Sequence, residues 1–252
     1  LDVKYRRPYE FGGSGYASLL GAGFQIEDSP GDHRFSYTAG FRYKTNQYVL
    51  NSLDTEGQYK PAFTDFQTFL SYDMSESWEI GFLGNVAFNR YQFIPETRQT
   101  EFGTFQQALR LTVFFEGQEI SNYETYFGAL TNRFQLGENH QLKFIVSSFQ
   151  SYEDETFDIN GAYFIDELEN DIGEDNFGDV AFNRGVGGYM DHARNYLEAT
   201  VINARIIDRI KHGDHNIEFG ASAQQELIDD DLSEWALVDS AGHSIPKTPD
   251  NP

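Results

Sequence analysis

"WEIGFLGNVAFNR", residues 78–90, sets Trp78, Ile80, Phe82, Gly84, Val86 and Phe88 in alternation with Glu79, Gly81, Leu83, Asn85, Ala87 and Asn89. A period of two over this length marks a strand with one apolar and one polar face, because successive side chains of an extended backbone point to opposite sides. The same pattern recurs on either side. In 33–45, Phe35, Tyr37, Ala39, Phe41 and Tyr43 alternate with Arg34, Ser36, Thr38, Gly40, Arg42 and Lys44. In 216–226, Ile217, Phe219, Ala221 and Ala223 alternate with Glu218, Gly220, Ser222, Gln224 and Glu226. Runs of roughly 12 to 18 residues exceed the usual strand length of about 5–6. Helical spacing is scarce. The clearest candidate is YFIDELENDIG (163–173), with Phe164, Leu168 and Ile172 at i, i+4 and i+8.

The connections fall into two classes. EDSPGDH (27–33), DMSES (73–77), LGENH (136–140) and KHGDH (211–215) are tight and rich in turn-forming residues. The others, about 51–60, 95–122, 153–194 and 231–252, read as long loops. In an up-and-down antiparallel sheet, alternating short and long connections put all short turns at one end. Bacterial outer-membrane barrels are built this way. A soluble sandwich also alternates, but its strands are shorter and nothing sorts its loops by end. The pattern favours an all-β, antiparallel, up-and-down transmembrane barrel segment of about eight strands. Eight strands could close alone, but the large loops point to an open, curved sheet that other strands complete.

Composition agrees. The chain has 252 residues, 23 Phe, 15 Tyr and no Cys, which excludes a disulfide scaffold or thiolate metal site. A net charge of −22 repels phosphate backbones, so nucleic acid is not an expected partner. No stretch is long and apolar enough for a transmembrane helix, but a barrel strand needs only about 10 residues with every second one apolar. The opening LDVKYRRPYEFGG lacks the apolar region of a secretory leader.

ALRLTVFFEGQEIS (108–121) has the strongest strand propensity in the chain. Turn parity nevertheless places it outside the wall. With DMSES and LGENH at the same end, 78–94 runs outward and 123–136 inward. A separate wall strand at 108–116 would reverse 123–136 and hang the stretch 153–193 from the wrong end. The expectation is a β-segment inside an extracellular loop, with Leu109, Leu111, Val113 and Phe115 packed on neighbouring loops.

NRYQFIPETRQTEFGTF (89–105), VFFEGQE (113–119), TYFGAL (125–130), LKFIVSSF (142–149), ETFDINGAYFIDEL (155–168), DNFGD (175–179), DHARNYLEATV (191–201) and WALVDSAGHSIP (235–246) together resemble TonB-dependent outer-membrane receptors of Bacteroidetes, the group whose plug often follows a carboxypeptidase-like regulatory domain. The resemblance runs in order over nearly the whole chain. It implies a barrel of about 22 strands around a plug, location in the bacterial outer membrane, and import of a scarce nutrient (siderophore, glycan, peptide or similar) powered through TonB. The chain departs from the pattern in carrying no plug and no TonB box. The expectation is therefore a partial barrel domain over 1–252, engaging TonB through a part N-terminal to it. Further expected partners are outer-membrane lipid, a surface lipoprotein and other outer-membrane subunits.

Candidate sites are few. The acidic run 153–179 suggests structural Ca²⁺, which takes six to eight oxygens, with Asp166, Glu169, Asp171, Glu174 and Asp175 as ligands; a solvated loop is the plainer reading. His212 and His215 lack a third ligand in sequence. No catalytic motif occurs, so no enzyme activity, catalytic residue or cofactor is expected. Tyr72 and Trp78 would belong to a periplasmic aromatic girdle, and Tyr91 and Phe93 to the outer girdle or the wall above it. Arg42, Lys44, Asn85, Asn89, Glu218, Ser222 and Gln224 would face the lumen. Two other functions remain open: a non-transporting barrel subunit of an outer-membrane assembly, and a soluble secreted glycan-binding β-domain.

Overall fold

The computed structural model describes residues 7–50, 52, 57–104 and 107–238. In chain order the elements are β1 (Gly12–Ser18), β2 (Gly21–Asp28), β3 (Phe35–Lys44), α1 (Gln47–Leu50), β4 (Gly57–Tyr59), β5 (Ala62–Ser75), β6 (Trp78–Pro95), β7 (Arg98–Thr104), β8 (Gln107–Gly137), β9 (His140–Leu168), β10 (Val180–His212) and β11 (His215–Val238). All eleven strands join one sheet, ordered β1-β2-β3-β5-β6-β8-β9-β10-β11. Every pairing is antiparallel, with β4 added to β6 and β7 to β8. The sheet is open, with β1 and β11 at its edges.

The four tight turns lie at one end, as their parity requires. KHGDH shows why such turns form: Gly213 takes φ 58°, which a side chain disfavours, and the two-residue loop closes on the pair His212–His215. At the other end the chain departs from expectation. Residues 95–122 are not a loop. β7 and β8 pair in a hairpin from Thr104–Gln107 to Arg98–Val113, and β8 runs unbroken for 31 residues. Residues 108–116 are therefore the outward continuation of 123–136, bonded to β9 from Ala108–Leu168 down to Gly137–His140. Turn parity was sound, but two segments running the same way are one strand. Nothing in FEGQEISN (115–122) stops an extended chain whose neighbour continues beside it.

The same extension takes in most of 153–194. β9 reaches Leu168 and β10 starts at Val180, leaving 169–179 as the connection. Phe164 and Leu168 lie in β9, so YFIDELENDIG is not helical; strands on both sides supply ladder partners that outweigh its helical spacing. β11 takes in 231–238, whereas 239–252 lie outside the described residues. Of 51–60, Gly57–Tyr59 form β4, while 51 and 53–56 lie outside the described residues.

The sheet is a single layer. Apart from α1 against β4, elements touch only their neighbours in the sheet. Among the described residues the buried apolar side chains are Leu168, Ala193 and Ile207. The accessible surface is 17348 Å², where a compact monomer of 28.8 kDa would expose about 11,300 Å². Among the described residues no helix is long and apolar enough to cross a membrane.

Candidate functional site

Directly opposed residues of antiparallel strands project to the same side, so the register sorts every strand residue onto one of two faces. On the first face, four successive rows run from β3 to β11 without a charge, although β2 adds Asp28 opposite Tyr37 at the edge of the second. They run from Phe35, Tyr72, Ile80, Asn132, Phe144, Ile206 and Ala221 to Phe41, Phe66, Val86, Tyr126, Gln150, Thr200 and Leu227. Below them lies the row of Trp78, Phe134, Leu142, Asp208 and Phe219, where Asp208 meets His140 at 2.7 Å. Above them lies the row of Tyr43, Phe88, Glu124, Tyr152, Glu198 and Asp229.

Aromatic rings gather at both margins. Trp78 stacks on Phe134 at 5.6 Å, and Phe134 meets Phe144 edge-on at 6.1 Å. Phe88, Tyr126 and Tyr152 form edge-on contacts at 6.0 and 6.3 Å. Trp78 and Phe88 are ten residues apart, roughly 33 Å along the strand, or about 24 Å in height at the tilt of a barrel strand. Within the band, Phe82 lies over Gly84 and Gly128, which leave its ring room against the backbone.

The second face is polar at the same level. Arg42, Lys44, Asn85, Asn89, Glu218, Ser222 and Gln224 all lie on it. Ion pairs cross it: Arg42–Asp65 at 2.7 Å, Arg133–Glu79 at 3.0 Å and Arg209–Glu218 at 2.5 Å. Gln224 donates to Glu226. Tyr72 and Trp78 belong to the apolar face. Tyr91 and Phe93 belong to the polar one, where both contact Tyr59, at 6.1 and 4.7 Å. The four rings therefore do not share a lipid-facing belt; the odd positions of β6 point away from the side of Trp78.

Beyond the apolar band, β7–β11 project as a tall flap whose amphipathicity is reversed. The odd positions of β8, mainly polar from Ser121 to Gln135 with Phe127 and Ala129 as exceptions, become Leu109, Leu111, Val113 and Phe115. The even positions of β9 change from Leu142, Phe144 and Val146 to Asp154, Thr156, Asp158 and Asn160. On the first face of the flap, Asp158 accepts from Arg194 at 2.5 Å and lies 2.5 Å from Nδ1 of His192, whose ring stacks on Trp235 at 4.7 Å. The Arg194 bond, helped by His192, holds the Asp158 carboxyl below its usual range.

On the second face, Asn195 donates to Glu155 at 3.2 Å and to Glu234 at 2.5 Å. Burial, then the charge of Glu155, pushes the Glu119 carboxyl up. Burial pushes the Tyr91 phenol up to about 12, with Glu119 and Tyr59 adding to it. Neither cluster was visible in the sequence, because both join residues from stretches that look like loops.

The calcium candidates scatter. Asp166 sits in β9 and accepts from Asn183, whereas Asp171 caps Gly173 N within the 169–179 connection. Among the described residues no three His, Cys, Asp or Glu side chains come together as a metal site. The apolar face also holds a groove of about 770 Å³ above the band, lined by Arg90, Asn122, Glu124, Asp154, Tyr196 and Glu198 among others. Searches of protein families, curated proteins and solved structures return no match to this chain.

Proposed function

We propose that this chain is wall of an outer-membrane β-barrel importer of the TonB-dependent receptor type. It would carry a scarce nutrient across the bacterial outer membrane through a lumen bounded by its polar face. The observation that carries this reading is the uncharged band between two aromatic margins on one face only. The uncharged rows span roughly 14 Å in height, and the aromatic margins that bound them lie about 24 Å apart, which suits the apolar belt of roughly 25 Å that barrels present to lipid. Water is the wrong solvent for a row such as Phe35, Tyr72, Ile80, Phe144 and Ile206, and among the described residues no other element covers it. Lipid is the covering that such a height matches. The tight turns would then lie on the periplasmic side and the flap outside the cell. The plug and the TonB contact would be supplied by parts other than this wall. The wall itself provides a passage, not a reaction.

Paired substitutions on adjacent residues test the assignment of faces. Leu130 lies mid-band on the apolar face and Ala129 on the polar face. Leu130→Arg should cost about 2–4 kcal/mol in a bilayer and deplete the protein from outer membranes. Ala129→Arg should cost far less. Equal losses in quantitative membrane fractionation and urea unfolding would defeat the reading.

A further inference from the structure

The flap's lumen-side face carries two surfaces in sequence. Nearest the tip, Leu111, Val113, Phe115, Ile159, Tyr163 and Tyr189 form a continuous apolar patch across β8, β9 and β10. Glycines make it smooth. Tyr189 lies over Gly161 and Tyr163 over Gly187, where a Cβ would come within 2.5 and 2.3 Å of the ring. Phe115 meets Tyr189 edge-on at 6.3 Å across Gly161. Each side chain in the patch is only half-buried, and among the described residues no element packs over it. Directly below, Glu119, Glu153, Glu155, Asp191, Asp230 and Glu234 share the same face.

From Leu111 to Tyr123, and at the positions facing them on β9, β10 and β11, this face has no Lys or Arg. One arginine of this face, Arg98 on β7, lies directly opposite Val113 at the side of the apolar patch. Arg184 is paired with Glu167 at the tip, and Arg133, Lys143, Arg205 and Arg209 line the band far below.

Resting on the importer reading, the geometry points to this face as the docking surface for a short, extended, cationic peptide with apolar side chains. Charge decides the cation: six carboxylates with no basic neighbour repel one another, and a positive ligand relieves that repulsion. Burial, with the charge of Glu155 adding to it, raises the Glu119 carboxyl. Apolar area decides the second half of the ligand, since aliphatic Leu, Val and Ile surface gains only from being covered by apolar groups. Length decides the peptide. Leu111 to Tyr123 spans roughly 40 Å, far beyond a small cation and matched by an extended chain. A saccharide would leave its hydroxyls unpaired on the aliphatic half.

The test is calorimetric titration of the full chain in zwitterionic lipid nanodiscs. The probe is an acetylated, amidated dodecapeptide, about 40 Å when extended, with one half alternating leucine and serine and the other half alternating lysine and serine. Expected is saturable binding that weakens with salt. Binding should also weaken roughly tenfold or more, about 1.4 kcal/mol, in the double variant Glu119→Gln/Glu155→Gln and in Ile159→Ser/Val113→Ser. Glu124→Gln/Glu198→Gln, on the opposite face, should leave it unchanged. The inference is overturned if the probe does not bind, or if a glutamate-for-lysine peptide or a neutral maltodextrin binds as well. It is also overturned if the opposite-face variant weakens binding as much. A retained contrast between Leu130→Arg and Ala129→Arg alongside any of these failures would remove the ligand assignment and leave the importer reading standing.

Discussion

Gly117 sits where the two amphipathic patterns of β8 meet, and its backbone explains its identity. It takes φ 101°, a region open to glycine and costly for other residues. A Cβ there would lie 1.8 Å from the carbonyl oxygen of Asp158 on the neighbouring strand. Gly185, by contrast, has open space around its Cβ position. Gly117→Ala should therefore destabilise the sheet by about 1–3 kcal/mol, while Gly185→Ala should be close to neutral. Denaturant unfolding in micelles compares the two, and equal midpoints would show that the flap tolerates strain at Gly117. The carbonyl that Gly117 approaches belongs to the residue bonded to Arg194 and His192. A shift of β9 at this point would therefore be felt in that network too.

At the scale of elements, strand identity was legible and strand extent was not. Alternation in 33–45, 78–90 and 216–226 names β3, β6 and β11, and turn chemistry at 27–33, 73–77, 136–140 and 211–215 orders them. What the sequence hides is the reversal of faces. A strand whose apolar positions switch from even to odd reads as two strands with a loop between, which is how 95–122 and 153–194 came to look like connections. The cause is a change of surroundings along one continuous ladder: below the switch the even side of β8 meets the band, above it the odd side carries the apolar patch. The clusters of the flap stayed hidden for the same reason, since Glu119, Glu155 and Asn195 become neighbours only when β8, β9 and β10 are in register. Sidedness remains testable because the chain has no native cysteine. Asn139 lies in a tight turn and Asn176 in the outer connection. In intact cells, Asn176→Cys should react with a membrane-impermeant maleimide, and Asn139→Cys only after the outer membrane is opened. Reversed labelling would invert the proposed orientation.

For the whole molecule, the decisive quantity is surface. An exposed area of 17348 Å² against about 11,300 Å² for a compact chain of this mass means that folding as a bare layer leaves roughly 6,000 Å² that a second layer would normally cover. A soluble domain gains most of its stability from such burial; this sheet has almost no interior of its own, and hydrogen bonds along the ladder contribute only modestly in net terms against water. Its stability must come from what covers its faces and edges. The 24 residues of β11 present one unpaired edge in full, which in water invites association with other strands. The chain diluted from urea into buffer should therefore aggregate. Diluted into detergent micelles or lipid, it should gain a β-type far-UV dichroism spectrum and unfold cooperatively at higher urea. A monomeric, cooperatively folded state in plain buffer would require a compact second layer that this sheet does not have, and would return the chain to the soluble all-β class.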